Sequence, residues 1–206
     1  MAFQGWPAEA LEFYEGLEAD NSKSYWQAHK PTYDECVLAP MQALLADLEP
    51  EFGAGKIFRP NRDVRFSKDK SPYKTHIGAT LAGGGYVQLS ANGLAAGSGR
   101  WHPDPDELER YRDAVVDDLS GERLAAIVAD LHAGGRDLAS HDSLKTAPRG
   151  YPKDHPRGDL LRRKGIAAWQ QWPVAAWLGT AKAKDRVVEF YRGAAPLNDW
   201  LAKHVS

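Results

Sequence analysis

The chain has 206 residues, 43% hydrophobic and 26% charged, with a net charge of -2 and a mean hydropathy of -0.53. That is globular composition, long enough to bury a core without staples. The lone Cys36 excludes an intramolecular disulfide and a cysteine-built zinc site, and no apolar run approaches the roughly 18 residues of a membrane span. The opening Met-Ala-Phe-Gln-Gly-Trp-Pro lacks the basic and apolar regions of a signal peptide. The expectation is a soluble, cytoplasmic protein with one domain over residues 1–206 and no membrane partner.

Pro7 suits the start of a helix, and Leu11, Tyr14 and Leu17 follow at helical spacing to the polar break Asp20-Asn21-Ser22. A second helical stretch carries Trp26, Tyr33, Val37, Met41, Leu44 and Leu48. Pro31 and Pro40 should kink or split it, and Gly53-Ala54-Gly55 should end it. From Lys56 the period changes to two, and residues 62–66, 74–81, 86–90 and 94–99 read as strands. Gly83-Gly84-Gly85 marks one turn and Asn92-Gly93 another, the latter a type I′ signal. Helical pattern returns at Asp104-Pro105, with Leu108, Tyr111, Val115 and Leu119 on one stripe. Ser120 reads as the cap of a further helix that carries Leu124, Ile127, Val128 and Leu131 to Gly134-Gly135. Three prolines within 148–156 exclude regular structure there, residues 162–170 read as another strand, and 180–191 and 196–204 read as closing helices. The predicted fold is α+β, an antiparallel meander with helices on one face and a polar, Arg- and His-bearing opposite face.

Alternation sorts the strand residues. Val64, Phe66, Ile77, Ala79, Leu81, Val87 and Leu89 fall on the apolar side. Arg59, Asn61, Asp63, Arg65, His76, Tyr86 and Gln88 fall on the polar side. Arginine is a planar fork suited to carboxylate or phosphate, so this face is a candidate anion site. The near-bare strand Leu94-Ala-Ala-Gly-Ser-Gly99 marks a close approach of a ligand or another backbone.

Charge is distributed unevenly. Residues 56–76 hold seven Lys or Arg against Asp63 and Asp69, and residues 145–164 hold seven against Asp154 and Asp159. Each island is net +5 and the remainder is net -12. The loop at 151–156 is expected to border the polar face, bringing Lys153 and His155 to the first island. Asp63, His76 and His155 are then candidate acid/base residues. Arg59, Asn61, Arg62, Arg65, Lys68, Lys70, Tyr73, Lys74, Gln88 and Lys153 are candidate ligand contacts. No histidine pair has metal-ligand spacing, Ser67 and Ser71 lack a nucleophile-elbow context, and no cofactor is identifiable.

Arg62-Asp63-x-Arg65-Phe66-Ser67-Lys68-Asp69-Lys70-Ser71-Pro72-Tyr73-Lys74 strongly resembles the hallmark of a widespread bacterial family, domain of unknown function 2461. Gly85-Tyr86-Val87-Gln88-Leu89-Ser90, Gly97-x-Gly99-x-Trp101-x-Pro103 and Gly150-Tyr151-Pro152-Lys153-Asp154-His155-Pro156 extend the resemblance, as does Leu160-Leu161-Arg162-x-Lys164. Asn21-Ser22-Lys23-Ser24-Tyr25-Trp26 is similar to an early family motif, with Tyr-Trp in place of Trp-Phe. The resemblance implies a single domain and carries no reaction with it. Three readings follow. The favoured one is a site for a phosphorylated or carboxylated small molecule. A nucleic-acid module using both islands and exposed Tyr73 and Tyr151 is disfavoured by the acidic remainder. A structural or protein-partner domain is the third.

Overall fold

In the computed structural model, which describes residues 2–206, helix α1 spans Ala8–Ala19 and buries Ala10, Phe13, Tyr14 and Leu17. Ser22 caps α2, Lys23–Thr32, its hydroxyl accepting the Tyr25 N–H at 3.1 Å. A π-helical turn, Tyr33–Leu38, follows, and then α3, Ala39–Phe52. Pro31 has no N–H for the ladder and its ring crowds the preceding turn. The split expected at Pro31 and Pro40 is therefore one widened turn between them.

The described residues form six strands, β1 (Gly55–Ile57), β2 (His76–Leu81), β3 (Gly85–Ser90), β4 (Gly93–Arg100), β5 (Asp137–Ala139) and β6 (Ile166–Trp172). Their order in the antiparallel sheet is β1-β2-β3-β4-β6-β5. The remaining helices are α4 (Pro105–Val116), α5 (Asp118–Ala133), the short α6 (Gly158–Leu161) and α7 (Lys182–His204). The fold class is α+β. The chain divides into two compact units, Met1–Ala96 with Gln171–Glu189, and Gly97–Gln170 with Phe190–Ser206. No described helix is long and apolar enough to cross a membrane.

In the first unit, Ile77 stands opposite Leu89 and Ala79 opposite Val87. With Leu81 they form a buried face, and α3 covers its edge where Leu45 packs against Gly55. His76, Gly78, Thr80, Tyr86, Gln88 and Ser90 share the other face. The strand expected at 62–66 is absent. Those residues form a loop, and the short β1 at Gly55–Ile57 takes the place beside β2 instead. Phe66, expected in the core, is 97% exposed, and β2 begins at His76 rather than at residue 74. Alternation without a pairing partner is an ambiguous signal, and the three-residue β1 was too short to register. The β3–β4 hairpin forms, but no described non-glycine residue has positive φ, so Asn92-Gly93 does not make the expected type I′ turn. At this turn it is Gly93 that takes positive φ, 107°.

In the second unit, Asp104 and Glu107 close a reciprocal capping box on α4, with N–H···O distances of 2.8 and 3.0 Å. Asp117, not Ser120, caps α5, accepting the Ser120 N–H at 2.8 Å. Leu119, assigned to the apolar stripe, is 84% exposed because α4 has already ended at Val116. The two closing helices are one, α7, with Pro196 inside it. The strand expected at 162–170 begins at Ile166, after α6, and its partner β5 went unpredicted. The bare β4 is explained by backbone. A Cβ on Gly99, at φ 143°, would collide with the Ile166 carbonyl and lie 2.7 Å from Ala167 Cα. One on Gly97 would press on the Trp169 ring at 3.0 Å.

Gly150 also has positive φ (90°), but nothing lies within 4 Å of a Cβ there. Gly150→Ala should therefore cost only the backbone strain, about 1–2 kcal/mol. Gly99→Ala adds a collision with strand backbone and should cost clearly more in urea denaturation; equal losses would contradict this account of β4.

Candidate functional site

The base of the first basic loop is held by Asn21, just before the cap of α2, and by Trp26 within it. Asn21 Nδ2 donates to the Tyr73 carbonyl, and the Tyr73 N–H donates to Asn21 Oδ1, both at 3.0 Å. The carboxamide thus acts as a neighbouring strand would, satisfying both backbone groups of one residue. The Tyr73 ring stacks on Trp26 with centroids 4.3 Å apart and planes 10° from parallel. Tyr73 is accordingly only 8% exposed, not the exposed aromatic expected. Across the base, Arg62 N–H donates to the Pro72 carbonyl and Lys74 N–H to the Pro60 carbonyl, each at 2.8 Å, flanking a bridge between Asn61 and Tyr73. Residues 62–72 form a closed loop of Ω type.

Inside the loop the arginines are largely occupied. Arg62 pairs with Asp69 and also donates to the Ser71 carbonyl at 3.3 Å. Asp69 accepts the Ser71 N–H at 2.9 Å and the Ser71 hydroxyl at 2.6 Å. Those Ser71 bonds, then Arg62, hold its carboxyl well below the usual carboxylate range. Arg65 makes a fork onto Asp63, with Nε and Nη2 at 2.9 and 2.7 Å. Hydrogen bonds from Arg65 lower the Asp63 pKa, with Arg59 adding to the effect. Lys70 donates to the Val64 carbonyl at 3.0 Å, and Lys68 is exposed. The three loop residues placed on a polar strand face, Asn61, Asp63 and Arg65, are thus off the sheet.

What remains on the polar face is smaller and differently composed. His76 heads β2 on that face, and Tyr86 and Gln88 come from β3, with the Tyr86 hydroxyl donating to Gln88 Oε1 at 2.7 Å. Tyr86 was read as polar-facing but was not among the candidate ligands. Its ring lies across Gly78, where a Cβ would sit 2.7 Å from the Tyr86 hydroxyl oxygen. Beside the face, the Lys74 ammonium lies 5.2 Å from the Phe58 ring centroid and donates to the Arg59 carbonyl at 3.0 Å. Lys74 therefore has a carbonyl and a ring, but no carboxylate, among the described residues. Burial lowers its pKa, and Arg59 lowers it further. Burial likewise lowers the His76 pKa, with Lys74 contributing. The His76 ring makes no hydrogen bond among the described residues, so Asp63 and His76 are not a bonded acid/base pair. Burial raises the Tyr86 phenol to about 12, leaving it a proton donor at neutral pH. Phe58 was missed because it lies just beyond the three-residue β1.

His155 and Lys153 belong to the second unit, the other candidates to the first. His155 Nδ1 accepts the Arg157 N–H at 3.1 Å, and Lys153 is exposed. Much of the second island is structural. Arg157 donates to the carbonyls of Val115 and Val116 at 2.7 and 3.1 Å, closing the C-terminus of α4. Arg162 pairs with Asp159, Lys164 with Asp142, and the Tyr151 hydroxyl donates to Asp113 at 2.8 Å. No group of three or more potential metal ligands occurs among the described residues.

Residues 9–200 match the family described as "Conserved hypothetical protein (DUF2461)". The chain belongs to the DUF2461 family. No curated protein and no solved structure matches it. In this DUF2461 protein, the early Asn21–Trp26 motif and the Tyr73 end of the basic motif are the two halves of one contact.

Removing the Asn21 carboxamide leaves both Tyr73 backbone groups without their partners. Asn21→Ala should therefore cost about 1–3 kcal/mol in urea denaturation. For His76, the folded chain refuses a proton that the unfolded chain accepts just below the ordinary imidazole value of 6.5. This contribution to stability is thus lost as pH falls through that window and recovered as pH rises. His76→Gln should flatten the fall of stability as pH drops below the ordinary imidazole value of 6.5; an unchanged slope would show that the imidazole titrates normally in the folded chain.

Proposed function

We propose that this protein binds a small phosphorylated or carboxylated molecule on the polar face of β2 and β3. The observation that carries the reading is the half-buried Lys74 ammonium, set beside His76 and Arg59 without a carboxylate partner. Two cationic side chains placed together repel one another, and an anion relieves that repulsion. Lys74 and Arg59 would bind the oxyanion, Gln88 Nε2 would donate a hydrogen bond while its Oε1 accepts from the Tyr86 hydroxyl, and neutral His76 would donate or accept one according to its tautomer. The Phe58 and Tyr86 rings, 6.4 Å apart, offer an apolar flank. Arg62 and Arg65, bound to their own aspartates, play a secondary part at most. The same reading places the protein in the cytoplasm, where such anions are abundant, and assigns no catalytic step.

Inorganic phosphate and a panel of phosphorylated and carboxylated compounds, titrated while the His76 ring resonances are followed by NMR, test the reading. Saturable shifts that disappear in Lys74→Ala and weaken in Arg59→Ala, with the folded spectrum retained, are expected. The loss for Lys74→Ala should be about tenfold or more, the scale of a charged hydrogen bond. Titration without any response at His76 would overturn it.

A nucleic-acid reading draws on one observation, Phe66 standing 97% exposed at the loop tip between Arg65 and Lys68. Fluorescence anisotropy with single-stranded and duplex oligonucleotides at two salt concentrations separates the readings. Weak affinity with a shallow salt slope is expected. Tight binding with a log-log slope steeper than about -4, several phosphates' worth, would favour nucleic acid.

A further inference from the structure

The second unit contains a cleft that no motif in the sequence announces. It has two lobes, with volumes of about 600 and 320 Å³. Both are lined by Arg123 of α5 and by Lys203 and His204 at the end of α7, a shared waist whose cations are Arg123 and Lys203. The larger lobe lies within the size range of small-molecule sites. Its wall includes Ala114 and the 84%-exposed Leu119, and the smaller lobe is walled by Ile127, Pro196 and Trp200.

Charge in the larger lobe is unequally committed. Its two carboxylates are engaged, Asp117 by the Ser120 N–H and hydroxyl at 2.8 Å each, and Asp113 by the Tyr151 hydroxyl. Arg110 is partly committed, its Nε donating to the Val205 carbonyl at 2.8 Å. The side chains of Arg123 and Lys203 have neither hydrogen-bond nor ion-pair partners among the described residues. The His204 ring leans on Trp200, with centroids 5.0 Å apart, and keeps its ring nitrogens uncommitted. Asp199 is the one acid lining the smaller lobe, which makes the waist and the larger lobe the better place for negative charge.

We propose that this cleft is a second binding site, separate from the polar sheet face, for an amphiphilic anion. Its carboxylate, sulfonate or phosphate group sits on Arg123 and Lys203, and its aromatic or aliphatic body lies along Leu119 and Ala114. A compact anion such as inorganic phosphate gains only the charge contacts. An uncharged apolar molecule gains only the wall. A molecule with both parts uses the whole cleft, because burying its apolar body and pairing its charge are separate gains in free energy.

The probe is 8-anilinonaphthalene-1-sulfonate, titrated by fluorescence, with the uncharged N-phenyl-1-naphthylamine as its counterpart. One saturable site per chain is expected for the sulfonate. The double variant Arg123→Ala/Lys203→Ala should bind it about tenfold more weakly, the scale of one charged contact or more, with an unchanged Tm. Leu119→Asp should weaken it as well, while Arg59→Ala/Lys74→Ala should leave it unaltered. The uncharged naphthylamine should bind weakly and be indifferent to loss of the two cations. Affinity for the sulfonate unchanged in Arg123→Ala/Lys203→Ala overturns the proposal, as does no saturable binding by the native chain. Loss of binding in Arg59→Ala/Lys74→Ala alone assigns the probe to the sheet face and overturns the cleft site while leaving the sheet-face reading intact.

Discussion

The two hydrogen bonds between the Asn21 carboxamide and the Tyr73 backbone hold the first unit's polar side in place. Residue 73 is the point where an 11-residue loop must return to the entry of β2, and its bridge to Asn61 leaves its own N–H and C=O to be satisfied from elsewhere. Asn21 supplies one donor and one acceptor, the full complement a strand partner would offer at that residue. Stacking of Tyr73 on Trp26 removes the remaining freedom of the ring and is worth about 0.5–1.5 kcal/mol beyond burial for such pairs. Lys74 and His76 follow directly in the chain, so the position of the cationic group beside the sheet depends on this anchor.

Electrostatics then divides the first island into two populations. Asp63 and Asp69 each gather donors from within two or seven residues, which fastens Arg65 and Arg62 to the loop itself. These pairs are exposed, so their value lies in loop shape more than in stability. Lys74 is different in kind. Its stem is half-buried, its ammonium is held by a carbonyl and a ring, and its neighbours His76 and Arg59 carry like or potential like charge. A basic stretch that looks uniform in composition is thus mostly self-neutralised, with a small uncompensated remainder next to the sheet.

The second unit shows the same economy with other parts. Arg157 caps the end of α4, and Asp117 immediately begins α5, so one residue of chain turns between the two helices. The Trp200 N–H donates to the Ser120 carbonyl at 2.9 Å and sets α7 against that turn. The cleft arises where these three helices meet. Its cations are scattered along the chain at 110, 123 and 203, and no local window contains two of them.

The amino-acid sequence by itself determined the elements whose signals are local. The cap at Asp104, the apolar alternation through Ile77–Leu81 and Val87–Leu89, and the glycine stop after α3 act within a few residues and formed, whereas the Asn92-Gly93 hairpin formed without its type I′ geometry. The family was legible too, because its motifs are contiguous. Residues 62–66 alternate as a strand does, yet alternation requires a neighbour to pair with, and Asp63 and Asp69 offer the local backbone and arginines a better set of bonds. Likewise Gly97 and Gly99 could signal either a ligand or a strand, and only the position of β6 decided between them. Which cations are spent and which remain was decided by tertiary structure, because Arg62 and Lys74 have the same sign of charge in the sequence and differ only in what the folded chain places against them.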